Sequence, residues 1–417
     1  MTTPAPQQTQ DVIIERVGGQ GDGVAGSGVF VPLTLPGERV RARVEGGRAE
    51  LVEILEPSAD RVPPESPHYG ECGGCSLQHW AAAPYLEWKR EQVRLTLARE
   101  GLETEIAPTF ACAPGTRRRL ALHARPGRGG AIIGFKARKS WRLVEVTECP
   151  VAAPELVRAF PALRRLAAGF LGHPKSAPTL HVTSTLSGLD IDVTGVERKS
   201  GGLSADQRMR IAETAAEADF ARVTLAGEML YGARQPVVRF GRATVGLPPG
   251  SFLQAVEAAE TEMARLAAEA VSGAHRVADL FCGAGAFTFR LAEVAPVLAA
   301  DSAAPAVQAL KAAIAGAPGL KTISAEARDL FRRPYSATEL KGVDAVVSDP
   351  PRAGAADQTP SIAASGASVI VGISCNPATF ARDARTLTDA GFQLEKVTPI
   401  DQFLWSAHVE LVGVFRR

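Results

Sequence analysis

The chain changes texture along its length. Residues 11 to 57 alternate apolar with polar positions in short runs, broken by glycines at 18, 19, 21, 23, 26 and 28 and then by Pro32, Pro36 and Gly37. Period-two alternation cut by glycine predicts short strands curling into a small closed barrel. Pro57, Pro63, Pro64 and Pro67 form a stiff connector into a cysteine-bearing segment, and residues 81 to 100 then carry apolar side chains at helical spacing. From about 115 to 240, β-branched runs such as Leu180-His-Val-Thr-Ser-Thr-Leu186 and Leu189-Asp-Ile-Asp-Val193 mix with helical stretches, which predicts an α+β unit. Beyond 256 the rhythm becomes helix, strand, helix, strand: a helix over Val256 to Val271, then strands at Val277 to Phe281, Val297 to Ala300, Val343 to Ser348, Val369 to Ile373 and Val409 to Phe415. Such alternation predicts a doubly wound α/β domain, a mostly parallel sheet whose ligands bind beyond the strand C-termini. Asp279, Gly283, Gly285, Asp301, Asp329, Asp349 and Cys375 all fall at or near those ends.

Composition narrows the picture little. At 417 residues, 46% hydrophobic and 22% charged, the chain is long enough for two or three packed domains and too apolar to be disordered. It begins without a basic or apolar leader and contains no 18-residue uncharged apolar stretch, so it reads as cytoplasmic, with no membrane partner. In a reducing compartment its six cysteines favour metal ligation, catalysis or burial over disulfides. A net charge of +1 makes no global case for a polyanion partner. Any such surface must be local, and the densest candidates are Arg117-Arg118-Arg119, with Arg125 and Arg128, and the stretch Lys136-Ala-Arg-Lys-Ser-Trp-Arg142.

The strand ends carry the chemistry. Asp279-Leu-Phe-Cys-Gly-Ala-Gly285 has two of the glycines of a dinucleotide loop, but Thr288 stands where the third would be, which weakens a pyrophosphate reading. Asp301 closes the next strand, where a carboxylate accepts hydrogen bonds from ribose hydroxyls. Adenosine without a pyrophosphate points to S-adenosyl-L-methionine. In Asp349-Pro-Pro-Arg352 the arginine follows where amine methyltransferases usually carry an aromatic residue, and a guanidinium suits an oxyanion better than an amine. Cys375, just before Asn376-Pro377 and a helix, supplies what methylation of uracil C5 needs: a thiolate that adds at C6 and makes the ring an enolate. The helix N-terminus is expected to lower the thiol pKa. Glu410 is the expected base for the C5 proton, with His408 on the same strand face orienting it.

On these residues the chain resembles the RNA uracil-5-methyltransferases, most closely the bacterial 23S rRNA enzymes with an N-terminal TRAM barrel. The matching segments are Thr34-Leu-Pro-Gly-Glu38, Tyr69-Gly-Glu-Cys-Gly-Gly-Cys-Ser-Leu-Gln-His79, Ser251-Phe-Leu-Gln254, Asp279 to Gly285, Asp349 to Arg352, Ser374-Cys-Asn-Pro377 and His408-Val-Glu410. The resemblance implies Cys375 as nucleophile, Glu410 as base, and Gln254, Phe281, Ala286, Asp301 and Asp349 lining the S-adenosylmethionine pocket. Ala286 lacks the polar side chain usual there, and Asp301 replaces a glutamate. The resemblance further implies a TRAM-like barrel at 1–58, a central α+β unit at 59–80 and 111–240, and a methyltransferase domain at 81–110 and 241–417. It implies a monomer whose partner is RNA, with ribosomal RNA favoured because the tRNA enzymes generally lack both barrel and cysteine motif. Cys72, Cys75 and Cys149 match three of the four iron–sulfur ligands of family members, while Ser66 occupies the first position. Three readings follow: a cluster held by three thiolates, which is preferred; zinc on these cysteines with Cys112 as the fourth; and a site that has lost its metal. The competing functions are a tRNA uracil-5-methyltransferase and an iron–sulfur RNA-binding protein without activity.

Overall fold

The structure, a computed structural model, describes residues 9–197 and 202–417. Strands Thr9–Val17, Gly23–Ala25, Phe30–Val31, Arg39–Glu45 and Arg48–Glu56 close into a barrel. Their inward positions, among them Ile14, Ala25, Val31, Val40 and Ala42, fill it. Gly23 is required there, because a Cβ would stand 2.0 Å from Thr34 Oγ1. The proline connector is fastened to the barrel by Arg61, whose guanidinium bonds both oxygens of the fully buried Glu38 (2.5 and 2.9 Å).

A seven-stranded sheet follows, in the spatial order Leu143–Glu145, Gly130–Lys136, Arg119–Gly127, Thr179–Thr185, Gly188–Thr194, Arg222–Leu225 and Glu228–Gly232. Helices Phe160–Ala168 and Ala205–Glu217 supply Leu163, Leu166 and Ile211 to a core shared with Leu122, Leu180 and Ile191 of the sheet. The expected α+β character of this region is thus realised.

The C-terminal sheet has nine strands. Its path runs Ile323–Ala327, Val297–Asp301, Val277–Leu280, Ala345–Ser348, Val369–Ser374, Glu410–Arg416, Gln393–Asp401 and Glu105–Ile106, and Phe110–Ala111 also pairs with Gln393–Asp401. All pairings are parallel except those of Glu410–Arg416 with its two neighbours. This is the doubly wound methyltransferase architecture the alternating pattern predicts. Four of the nine strands escape the sequence pattern, the two-residue strands Glu105–Ile106 and Phe110–Ala111 among them. Ile323–Ala327 is an edge strand of mostly small residues, and Gln393–Asp401 carries Glu395, Lys396 and Pro399, which read as loop. No helix among the described residues is long and apolar enough to cross a membrane.

Helix Ala82–Arg99 joins the parts. Val93 and Leu97 pack into the core of the C-terminal sheet, while Tyr85 and Trp88 pack with Val17 and Leu35 of the barrel. Trp88 Nε1 donates to the Val17 carbonyl (3.1 Å). Lys89 lies on the same apolar stripe, almost fully buried, and its ammonium donates to Asp401 and to the carbonyls of Phe403 (3.2 Å) and His408 (2.6 Å). Tyr85 Oη also donates to Asp401 (3.1 Å). One helix therefore fixes both the barrel and the loop that runs from Asp401 to Glu410.

Candidate active site

The spatial order of the C-terminal sheet reverses between Val277–Leu280 and Ala345–Ser348, the place where an open α/β sheet forms its ligand crevice. Asp279 and Asp349 lie at this switch point, Asp279 fully buried and Asp349 half-buried. Burial pushes Asp279 up to about 7, against the opposing hydrogen bond from Thr288, and the charges of Asp349 and Asp301 add to the rise. Its Oδ1 has no hydrogen-bond partner among the described residues. A buried carboxylate with an orphaned oxygen fits a cationic ligand such as a sulfonium or an amine.

The glycine loop shapes the crevice wall. Phe281 and Gly285 both take positive φ (64° and 99°), and a Cβ at Gly285 would stand 2.8 Å from the Phe289 ring. Asp301 accepts from the amides of Gly283 (2.9 Å) and Ala303 (2.7 Å), so the carboxylate expected to meet a ribose is already oriented, with lone pairs left for hydroxyls. The Phe281 ring is tilted against Phe331 at 5.5 Å, a flat apolar wall. Ala286 is half-buried and borders a separate small cavity beside Glu260 and Arg290.

Cys375 follows strand Val369–Ser374 and precedes helix Pro377–Asp389. Asn376 caps this helix through the Ala378 amide (3.2 Å), and its Nδ2 donates to the Arg352 carbonyl (3.2 Å). The two loops that carry Cys375 and Asp349 are thereby tied together. The expected lowering of the thiol pKa is not found. Burial pushes Cys375 up, the charges of Glu410 and Asp349 push it further, and Arg352 only partly opposes them. Burial is the largest cause, and the two carboxylates that share the crevice with the sulfur add to it.

Those carboxylates are joined by a chain of amides. Gln254 Nε2 donates to Asp349 (3.1 Å), and Gln402 Nε2 donates both to Gln254 Oε1 (2.9 Å) and to Glu410 (2.5 Å). Gln402 Oε1 accepts from the Ala255 amide (3.2 Å). Gln254, Gln402 and Glu410 are buried and Asp349 is half-buried. Burial and the neighbouring Asp349 charge raise Glu410, and burial with the Asp301 charge raises Asp349. The pair therefore resists double ionisation. His408 does not share the strand with Glu410, which begins at Glu410 itself. It is exposed, its ring meets Phe403 edge-on at 5.9 Å, and the side chain that bonds Glu410 is Gln402.

Gln402 and Lys89 escape sequence reasoning. Nothing marks Gln402 in Asp401-Gln-Phe-Leu-Trp405; only the antiparallel pairing of Ile400 with Glu410 brings it to the base. Lys89 did carry a signal, since a lysine in the stripe Tyr85, Lys89, Val93, Leu97 needs a buried partner.

The arginine run proposed as a charged patch faces inward. Arg118 is buried, pairs with Glu260 (2.6 Å) and donates to the Gln254 carbonyl (3.0 Å), while Arg119 donates to the Leu253 carbonyl (2.7 Å). Both hold the Ser251-Phe-Leu-Gln254 segment in place. Arg117 lies among the cysteines, its charge drawing down the thiols of Cys75 and Cys149.

Cys72, Cys75 and Cys149 line one cavity of about 550 Å³ together with Ser66 and Cys112. Burial pushes Cys75 up to about 12, and the charges of Cys149 and Cys72 reinforce the shift, so the three thiols are near enough to interact across the cavity they line. Cys112 is different: its electrostatic neighbours are Asp401 and Lys89, and it packs in the catalytic core. Ser66 Oγ accepts from the His68 amide (3.1 Å) in a local turn. Among the described residues no three His, Cys, Asp or Glu side chains converge as ligands of a single metal ion. The four-cysteine zinc site is therefore not formed.

Comparison with known proteins agrees with this geometry. Residues 242–417 match the family model described as tRNA (Uracil-5-)-methyltransferase. An uncharacterised RNA methyltransferase of Caulobacter vibrioides is 66% identical over 98% of this chain and all of its own. The 23S rRNA (uracil(1939)-C(5))-methyltransferase RlmD of Chromohalobacter salexigens is 32% identical, over 97% of this chain and 88% of its own. Among solved structures, the tRNA (uracil-54, C5)-methyltransferase of Pyrococcus abyssi, in complex with S-adenosyl-L-homocysteine, superposes with a TM-score of 0.73 at 25% identity, over 97% of this chain and 99% of that one. With a full-length relative above 30% identity, a barrel, a doubly wound sheet and a thiol beside two carboxylates at its switch point, the chain belongs to the RNA uracil-5-methyltransferase family.

Proposed function

We propose that this protein forms 5-methyluridine in 23S ribosomal RNA, with Cys375 as nucleophile and Glu410 as base. The observation that supports the mechanism is the placement of Cys375, Asp349 and Glu410 around one crevice, linked by Gln254 and Gln402. S-adenosyl-L-methionine, when bound, supplies an electrophilic methyl group. On this reading Gln254, Phe281, Asp301 and Asp349 hold and orient it, with Ala286 contributing only backbone. Cys375 gives up its proton to solvent and adds through sulfur to C6 of the uracil, and the resulting C5 carbanion would take the methyl group as its bond to the sulfonium breaks, leaving a neutral thioether. Glu410 then removes the C5 proton, and the C6–S bond breaks to restore the pyrimidine. Deprotonation of Cys375 against the crevice carboxylates is relieved when positive charge enters beside them, which links nucleophile activation to an occupied site.

The large-subunit assignment rests on the 32% identity to an enzyme with that substrate, extending through barrel, cysteine segment and catalytic domain. The barrel alone does not discriminate, because the Pyrococcus tRNA enzyme aligns over 99% of its own length, and this keeps a tRNA substrate as the second reading. In either case the barrel at 1–58 and the central unit (59–80 and 111–240) are inferred to hold folded RNA by shape and phosphates. The catalytic unit, 81–110 and 241–417, receives a base turned out of its stack. The thiols of Cys72, Cys75 and Cys149, which line one cavity with Arg117, fit an iron–sulfur cluster held by three thiolates. Its role would be structural, since uracil methylation transfers no electron. Nucleoside mass spectrometry of separated rRNA and tRNA from a deletion strain tests the substrate: loss of 5-methyluridine from 23S rRNA alone is expected, and loss from tRNA alone overturns it.

A further inference from the structure

The second cationic stretch of the sequence, Lys136 to Arg142, behaves unlike the first. It forms the tip between strands Gly130–Lys136 and Leu143–Glu145, with Trp141 at 87% exposure, more than any other large apolar side chain described. The tip is held in place. Ala137 N donates to the Arg142 carbonyl (2.8 Å), Ser140 N to the Ala137 carbonyl (3.1 Å), and Arg142 N to Ser140 Oγ (3.1 Å). Lys139 takes φ of 51° in the turn. On one side Gly73 N donates to the Lys136 carbonyl (3.1 Å), which docks the tip on the cysteine segment. On the other, Arg138 and Lys139 pair with Asp22, and Arg138 also reaches the Gln20 carbonyl (3.1 Å), which docks it on the barrel.

The cations of this tip are largely engaged. Arg138 and Lys139 share Asp22, Arg142 pairs with Glu71 (3.2 Å), and the Lys136 ammonium stands 3.8 Å from the centroid of the Trp141 ring. Lys136 covers one face of the indole and steadies it, which leaves the opposite face open to solvent. What the tip offers is therefore a fixed flat aromatic surface more than free positive charge. A base in a single strand presents the complementary flat face, and stacking on an aromatic ring tolerates any sequence. The tip also borders the large cavity through Arg138 and Lys139, and the same cavity is lined by Phe403 and His408 of the loop that precedes Glu410. A strand seated on the tip thus lies along a surface continuous with the catalytic loop.

We propose that the open face of Trp141 stacks on an unpaired base of the bound RNA, outside the base to be methylated, and so fixes the strand between the barrel and the cysteine segment. This rests on RNA being the partner, not on the identity of nucleophile or base. The test uses a mixed-sequence single-stranded 12-nucleotide RNA and protein carrying Cys375→Ala, so that binding is read without turnover. Fluorescence anisotropy should show Trp141→Ala weakening binding by roughly 5- to 150-fold, the range of single-base stacking on alanine substitution. Trp141→Phe should stay within about three-fold of the parent, since it keeps a flat face. The dependence of log affinity on log salt should keep its slope, because no phosphate contact is removed. Acrylamide quenching should fall when RNA is added to the parent and fall less in Trp141→Phe. Calorimetry with S-adenosyl-L-homocysteine should give the same affinity for all variants, which checks folding. Parent-like RNA affinity of Trp141→Ala, or an unchanged quenching constant, overturns the proposal, as does a salt slope that drops by about one per cation. None of these readings moves if Cys375 is not the nucleophile, so the two claims fail separately.

Discussion

The catalytic crevice and the cysteine cavity are both polar sites inside a largely apolar molecule, and they are built on opposite plans. In the crevice, Asp349 and Glu410 each receive an N–H from a buried amide, and those amides bond each other. In the cysteine cavity burial pushes each of the three thiols up, and Arg117, the Gln78 side chain and backbone amides near Cys72 and Cys149 only partly favour the thiolates. The first site is preorganised: its donors are in position before substrate arrives, which is what catalysis by positioning requires. The second needs an added group between its thiols to become satisfied. The contrast teaches that the crevice should lose rate when altered, whereas the cavity should lose stability and metal.

The largest expected effect on the crevice is from Glu410→Gln. Removing an acid–base group typically costs about 10² to 10⁴ in rate. The variant should still attack and methylate, so methylated RNA attached to protein should accumulate, as seen by denaturing gel electrophoresis. Next comes the brace behind the crevice. Lys89→Met leaves Asp401 buried without its cation, and breaking a buried pair from one side costs about 3–5 kcal/mol of stability. Urea denaturation should show this, with much of the loss recovered by adding Asp401→Leu.

Gln402→Ala is expected to act through Glu410. Loss of a hydrogen bond to a charged group costs about 1.5–3 kcal/mol, which corresponds to roughly 10- to 150-fold in the step that uses it. The pH profile carries the sharper signature. Glu410 must be ionised to act, and its pKa already lies above the ordinary carboxylate range because of burial and Asp349. Activity should therefore rise with pH through that raised value. Gln402 favours the ionised form, so its loss should move the acid limb to still higher pH and slow the variant most below neutrality. An acid limb at the parent position would show that Gln402 does not set the ionisation of the base.

The smallest effect on rate should come from the cysteine cavity. Protein purified without oxygen should contain iron and sulfide, and Cys75→Ser should lose them, along with stability or RNA affinity, before it loses S-adenosylmethionine binding. Zinc without sulfide would contradict the three-thiolate reading, as would a full complement of iron in Cys75→Ser.

Much of this was legible in the sequence, for physical reasons that differ by region. The parallel sheet announced itself because strands such as Val277–Leu280 and Ala345–Ser348 are buried on both faces and so read as apolar runs with an aspartate, Asp279 or Asp349, at or just past the end. Strand Gln393–Asp401 was hidden because its pairing uses backbone groups that no side-chain pattern reveals. Asp349, Glu410 and Cys375 could be named from residue type and place on a strand, but not their electrostatics. The prediction of a lowered Cys375 pKa counted the helix N-terminus and missed the burial of the thiol and the two carboxylates that folding brings alongside. Arg118 and Arg119 misled in the opposite sense, because a run of like charge gives no sign that each member has a buried carboxylate or carbonyl waiting. Gln402 depends on a hairpin register, which is a property of the fold and not of the local sequence.

The central claim is that a covalent bond forms between Cys375 and C6 of a uracil. RNA transcribed with 5-fluorouridine, whose C5 fluorine cannot leave as a proton, should trap that bond in the presence of S-adenosylmethionine. The account predicts a complex that survives denaturing electrophoresis, maps to Cys375 by peptide mass spectrometry, and is absent with Cys375→Ala, which should still bind S-adenosyl-L-homocysteine. Turnover of RNA by Cys375→Ala, or a trapped adduct on any other residue, would contradict it.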